Sequence, residues 1–392
     1  MASTERIVKH INFLDGLRAI AALFVLFSHT WYQIWPAVFP PFGYGHRPTG
    51  LILILTSWLY YGHFAVVVFI VLSGFCLMLP VIQNNGILRG GTLQFFKRRA
   101  RRILPPYYCA LLFSLLLIWL FIGLKTGTQW DISIPVTLSG LIAHISMFQD
   151  FVTTTEINYV FWSIALESHL YLCFPLLVLS WQRFGSIKTT LGIGLFTYTT
   201  IILLEIAQVK EIPPQFLGLC FYFVLGMLGA TIVFSQDQLW ELVRKHFPWH
   251  FVVAGLILTI IFFCYVWGFD IAEERFAFLD TMSALGTLFL LVAASRPGAN
   301  KVRNFLGSSP LVFIGTFSYS LYLIHAPLLQ IVWQYVLHPL HLGKVFEFVL
   351  LLLVGTPLIL GAAYIFFFYC ERPFLNTRRV SASKVTNNRK RG

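Results

Sequence analysis

The chain has 392 residues, 57% of them hydrophobic and only 11% charged, with a formal net charge of +12. A soluble chain of this size would carry about 25% charged residues, so the composition excludes a soluble globular protein and points to an integral membrane protein. In a soluble chain the positive excess would suggest nucleic acid; here the basic residues lie in loops between apolar segments, where membrane anchoring explains them and no nucleic-acid partner is expected.

The expected fold is all-α and polytopic, with about ten transmembrane helices, short re-entrant or interfacial segments and both termini cytoplasmic. Residues 1–12 read as a short cytoplasmic N-terminus. Segments of spanning length follow near 13–32, 63–82, 103–123, 160–181, 189–206, 217–234, 250–268, 278–295, 312–334 and 347–369. The first lacks a small-residue cleavage site and carries Asp15 and Arg18 at its start, so it reads as a retained helix rather than a signal peptide. Two shorter apolar pieces, 51–61 and 136–149, suit re-entrant or interfacial positions.

Loop charge sets the orientation. With ten spans and a cytoplasmic N-terminus, 22 Lys/Arg fall inside, five outside and Arg18 in the membrane. If 136–149 crossed fully, the count would become 11 inside and 16 outside. The ten-span arrangement also puts the acidic loop of Asp270, Glu273 and Glu274 outside. No strong internal repeat is visible. Residues 13–374 form one transmembrane domain, and the basic tail 375–392 reads as disordered and cytoplasmic. The six cysteines, in or beside apolar segments and without a CxxC pair, support neither a disulfide framework nor a zinc site, and no metal is expected.

Arg18 and His29 lie eleven residues apart in the first segment. Three helical turns put them on one face, about 16 Å apart along the axis. An ionisable residue inside a membrane is by default a functional candidate, and histidine titrates nearest neutrality, so it suits a general base. Glu167 and His325 fall in the outer half of their helices, within reach of the depth of His29. Arg98, Arg99, Arg101 and Arg102 cluster at the cytoplasmic boundary. Taken singly, each has a plainer reading: a histidine bonded to a neighbouring helix, a glutamate paired with an arginine, an arginine cluster that anchors topology. Trp31, Tyr107 and Trp333, at segment ends, read as interface anchors. The pattern as a whole favours chemistry.

The stretches FLDGLRAIAALFVLFSHTW (13–31), FIVLSGFCL (69–77), FFKRRARRILPPYY (95–108), FWSIALESHLYLCFPLL (161–177), FSYSLYLIHAPLL (317–329) and ERPF (371–374) resemble the acyltransferase-3 family of membrane O-acyltransferases. The blocks stand in family order, and Arg18-x10-His29 together with Arg98-Arg99-x-x-Arg102 is the specific combination. The resemblance implies transfer of an acyl group, often acetyl, from cytoplasmic acyl-CoA to a hydroxyl of a glycan or other acceptor across the membrane. It implies that His29 is the catalytic base, Arg18 its companion, and Arg98, Arg99 and Arg102 the donor-phosphate site. Glu167 and Tyr171 occupy the family's W-S-x-x-x-E-x-x-x-Y block. The chain departs at Val67, where many bacterial members carry an acid, and at Ser168 and His169. No esterase-like soluble domain is expected after the last helix.

These residues suggest a mechanism in which the arginines hold the CoA phosphates and the pantetheine arm rises past Arg18. His29 would deprotonate the acceptor, Glu167 would orient or charge-stabilise His29, and Ser73 or Tyr171 would donate to the oxyanion, with His325 in a supporting place. Acyl-CoA would be a co-substrate, with no permanently bound cofactor. Direct transfer and a covalent acyl-enzyme are both open. Segments 33–62 and 124–159, with Trp35, Tyr44, His46, Arg47, Trp58 and Trp130, are the expected acceptor contacts. The competing class is a transporter using the same buried charges; the absent inverted repeat and the one-sided arginine cluster weigh against it. The expected location is a bacterial cytoplasmic membrane.

Overall fold

The computed structural model describes residues 12–36, 47–151, 156–208, 214–296 and 300–375. The expected N-terminal segment, the basic tail, Tyr44 and His46 lie outside the described residues, as do the side chains of Asp270, Glu273 and Glu274. All regular structure among the described residues is helical. Among the described residues ten helical stretches are long and apolar enough to cross a membrane, matching in number and order the spans read from the sequence. The protein is an integral multi-pass membrane protein.

Helix α1 (Asn12–Ile34) is the centre of the bundle. Then come α2 (Gly50–Thr56), α3 (His63–Gln83), α4 (Gly91–Leu117), α5 (Leu138–Ser146) and α6 (Trp162–Phe184). A peripheral group follows: α7 (Ser186–Ile206), α8 (Pro214–Phe234), α9 (Gln238–His246), α10 (Trp249–Glu274, broken at Gly268) and α11 (Phe276–Ser295). The chain then returns to the centre through α12 (Lys301–Leu306), α13 (Ser309–Thr316), α14 (Ser318–Val332), α15 (Lys344–Leu350) and α16 (Thr356–Phe366).

Several boundaries differ from those read off hydropathy. The 51–61 piece is α2 and a 3₁₀ turn that lead directly into α3, and the 312–334 segment is two helices that break at Phe317. The third span begins at Gly91, so the arginine cluster sits within α4 rather than ahead of it. A charged first half lowers the hydropathy of that helix without removing its helical propensity, because Arg and Lys are good helix formers.

Small residues set the closest approaches, as expected where lipid gives no hydrophobic drive to helix association. A Cβ on Gly74 of α3 would lie 2.0 Å from the Phe223 carbonyl oxygen of α8, and one on Gly226 of α8 would lie 2.0 Å from that of Val71. The two helices thus interlock glycine to backbone.

α1 and α14 run side by side in the same direction. Gly315, just before α14, abuts the Asp15 backbone; further along, His29 meets His325 and Gln33 meets Gln330. α4 runs parallel to them, with Tyr319 bonded to the Ile103 carbonyl near one end and Tyr335 to the Phe121 carbonyl near the other. α3 runs the opposite way, from Gly62 against Ser28 to Cys76 against Arg18. These pairings define a basic end, with Arg18 and the α4 arginines, and an opposite end, with His29.

Three aromatic residues read as interface anchors are instead inside the protein. Trp31 donates to Thr56 Oγ1, Tyr107 to the His144 carbonyl of α5, and Trp333 to the Glu347 carboxylate. Position at a segment end places such rings near the interface, but a donor that finds a protein acceptor is drawn into the bundle instead.

Candidate functional site

A cavity of about 760 Å³ opens between α1, α3, α4, α6, α13, α14 and the chain after α16. Its charged lining comprises Asp15, Arg18, Arg99, Arg102, Glu167, Glu371 and Arg372, with Ser73, Cys76, Tyr171, Tyr319 and Tyr322 adding polar groups. The volume lies within the range of about 300–1,000 Å³ typical of small-molecule sites.

Arg18 is fixed at the basic end. Its guanidinium donates to Asp15 Oδ1 at 2.5 Å and to Cys76 Sγ at 3.1 Å. The carboxylate three residues earlier on the same helix face compensates a cation that the membrane would otherwise penalise. Asp15 is 5% exposed and the Arg18 side chain 24%, so the pair is partly buried, with the guanidinium open to the cavity.

The arginines of α4 divide. Arg99 and Arg102 line the cavity, and the Arg99 Nε is buried with no hydrogen-bond partner among the described residues. Arg98 is absent from the lining; it donates to the Arg89 carbonyl at 2.8 Å and to Gln94 Oε1 at 3.2 Å, closing the α3–α4 connection. The expected triple of Arg98, Arg99 and Arg102 is therefore a pair here, joined by Arg372. Helical geometry alone does not separate them, since Arg102 lies about 60° from Arg99 and about 40° from Arg98 around the helix; Arg98 is drawn aside by its bonds to the Arg89 carbonyl and Gln94.

Glu167 and His29 are not brought together. Tyr171 Oη donates to Glu167 Oε1, one turn along α6, and Ser73 Oγ lies 2.7 Å from Tyr171 Oη. Because Tyr171 gives its proton to the carboxyl, Ser73 is the donor to Tyr171. Both hydroxyl hydrogens thus point toward Glu167, and neither remains for an oxyanion.

His29 instead meets His325, Nδ1 to Nε2 at 2.7 Å. Tyr159 packs edge-on against His29 at 5.2 Å between ring centroids, and Tyr32 lies at 6.3 Å. The Tyr159 hydroxyl is buried without a partner among the described residues. His29 and His325 are not among the residues that line the cavity; the lining residue next to them is Tyr322, whose backbone carbonyl accepts from His325 Nδ1 at 2.8 Å. Beyond the pair, Gln33, Gln330, Thr126, Thr128 and Gln334 form a polar network at the opposite end.

Of the residues read as acceptor contacts, Trp35 and Trp130 are buried, the latter donating to the Ile122 carbonyl. Arg47 lies over the rings of Tyr60 and Phe269. Trp58 is 53% exposed and stacks on Phe24.

Several lining residues carried little sequence signal. Asp15 was legible from its i,i+3 spacing to Arg18, and Glu371 and Arg372 from charge at the end of the last apolar segment. Cys76, Tyr319 and Tyr322 fall within the family blocks 69–77 and 317–329 without being singled out there, and Tyr159, beside His29, falls in no block.

A family model described as an acyltransferase domain (acyltransferase 3) matches residues 11–368, nearly the whole chain. The chain belongs to the acyltransferase-3 family. Among curated acyltransferases of this type, it is similar to O-acetyltransferase OatA of Staphylococcus aureus (strain NCTC 8325 / PS 47), with 24% identity over 342 residues, covering 83% of this chain and 52% of the relative. It is also similar to peptidoglycan O-acetyltransferase OatA of Listeria monocytogenes serovar 1/2a, with 23% identity over 340 residues, covering 82% of this chain and 50% of the relative. The chain spans about half the length of these relatives. No solved structure matches it.

Proposed function

We propose that the protein is a membrane O-acyltransferase of a bacterial cytoplasmic membrane. It takes an acyl group, acetyl foremost, from acyl-CoA at the basic end and passes it to a hydroxyl of a glycan, of the peptidoglycan kind, at the opposite end. The Lys/Arg distribution supports a cytoplasmic basic end with both termini there, and re-entrant placement of the α2 and α5 regions. The observation that carries the reading is one cavity rich in fixed cations. It is lined by Arg99, Arg102 and Arg372 where α4 and the last helix meet, by Arg18 beside them, and by Tyr322; His29 lies outside that lining, joined to it through His325 and the Tyr322 carbonyl.

Guanidinium forks suit phosphates, being planar and permanently charged. In this reading Arg99, Arg102 and Arg372 hold the CoA phosphates and the acyl-pantetheine arm extends along the cavity toward His29. His29 removes the acceptor's hydroxyl proton as that oxygen attacks the thioester carbonyl. The tetrahedral intermediate collapses, the C–S bond breaks, and the CoA sulfur leaves with the proton returned from His29. Tyr159 is the group available to donate to the oxyanion, since its buried hydroxyl has no partner among the described residues.

The test is release of free CoA thiol by purified protein given acetyl-CoA and a glycan acceptor. Wild type should release thiol and form an ester; His29→Ala should lose about 10²- to 10⁴-fold in rate while remaining folded. Thiol release undiminished in His29→Ala would remove the assignment.

A further inference from the structure

We infer that His325 is the positioning residue of the catalytic base: it fixes His29 as the Nδ1–H tautomer, so that Nε2 of His29 carries the reactive lone pair. The inference rests on the acyltransferase reading and assigns its base to one atom.

The proton positions follow from the partners. His325 Nδ1 lies 2.8 Å from the Tyr322 carbonyl oxygen and 3.1 Å from that of Leu321. Carbonyl oxygens only accept, so Nδ1 of His325 bears the hydrogen. A neutral imidazole has one N–H, which leaves Nε2 of His325 as an acceptor. The 2.7 Å contact between that atom and His29 Nδ1 then requires His29 Nδ1 to donate. The remaining nitrogen of His29, Nε2, is the unprotonated one.

The ring geometry agrees. The two imidazoles are 12° from parallel with centroids 5.0 Å apart, the separation of two rings joined edge to edge through one hydrogen. The other rings that meet the pair belong to tyrosines. His29 meets Tyr159 and Tyr32 at its edges, and His325 meets Tyr322 at 5.8 Å. Among the described residues no carboxyl bonds to either ring, so the role a carboxylate usually plays in orienting a catalytic histidine falls to an imidazole anchored on α14. The anchor is rigid: His325 is 1% exposed and its Nδ1–H is shared between two carbonyls of its own helix. When His29 takes a proton at Nε2, its Nδ1–H continues to donate to the same lone pair. The cation is thereby held by a hydrogen bond that needs no rearrangement.

The experiment combines ¹⁵N-histidine spectra of the full-length protein in lipid nanodiscs with steady-state kinetics, using His325→Ala and His325→Gln. The His29 signals are assigned by their loss in His29→Gln. Wild type should show His29 protonated at Nδ1 and bare at Nε2. His325→Ala should shift His29 toward the Nε2–H form and lower kcat by about 10²-fold or more, with KM for acetyl-CoA unchanged. His325→Gln, whose amide oxygen can accept from His29 Nδ1, should keep the tautomer and recover most of kcat. A wild-type His29 protonated at Nε2, or a glutamine variant no more active than the alanine one, overturns the inference. The spectrum reads the tautomer whether or not transfer occurs. A protein with the expected tautomer that acylates no hydroxyl therefore overturns the reaction and leaves the pairing standing.

Discussion

The carboxyl of Glu167 accepts a hydrogen bond from Tyr171, and that bond decides which part of the site the glutamate serves. Ser73 donates to the same tyrosine from α3. The chain of three lines the cavity with Arg99 and Arg18, at the basic end, and does not run to His29. Glu167 is therefore a fixed acceptor among the cavity's cations. Tyr171→Phe should leave the carboxyl without its donor and lower the free energy of unfolding by about 1–3 kcal/mol. It should also reduce kcat/KM for acyl-CoA while leaving the His29 tautomer as it was. An unfolding midpoint equal to wild type would mean that the bond contributes nothing.

The three arginines of the motif, Arg98, Arg99 and Arg102, should separate kinetically. Each charge-assisted bond to a phosphate is worth about 1.5–3 kcal/mol, so Arg99→Ala and Arg102→Ala should each raise KM for acyl-CoA by about ten- to a hundredfold. Arg98→Ala removes bonds to the Arg89 carbonyl and Gln94 instead. Its effect should fall on the α3–α4 connection, with KM close to wild type. Equal KM effects in all three variants would restore the triple suggested by the motif.

What the sequence made legible was what a bilayer imposes locally. Each span is a long apolar run because an unpaired backbone in lipid is prohibitive, and the ten runs appear as ten helices. Arg18 and His29 stood out because charge inside such a run is costly. Contacts between distant helices left no local trace. His325 is 296 positions from His29, and nothing in either segment says that two imidazoles meet rather than an imidazole and Glu167. Tyr107 shows the same limit. Its place at a segment end matches an interface anchor, and only the arrival of α5 supplies the His144 carbonyl that buries it.

Tyr159 should matter to the chemical step. Its hydroxyl is buried without a partner among the described residues while its ring contacts His29. Removing one oxyanion donor costs about 10²- to 10³-fold in kcat. Tyr159→Phe should show that loss with KM for acyl-CoA unchanged. Phenylalanine deletes a group whose hydrogen bonds are not made in the resting protein, so the variant should unfold at or above the wild-type temperature. A destabilised variant with normal kcat would make the hydroxyl structural.

Glu156, in the connection that leads into α6, gives a pH dependence outside the spans. Burial raises its carboxyl from an ordinary value of 4.5 to about 8. The sign follows from linkage: the folded state holds this proton more tightly than the unfolded chain does. The stabilisation is full below pH 4.5 and is lost as pH rises through about 8. Between those limits the wild-type unfolding temperature should fall with rising pH more steeply than that of Glu156→Gln, which stays neutral throughout. Above about pH 8 the two curves should run parallel, with the glutamine variant the more stable. If wild type and Glu156→Gln share one slope from pH 5 to 8, the carboxyl is not held protonated by the fold. The connection would then have to be solvated around it.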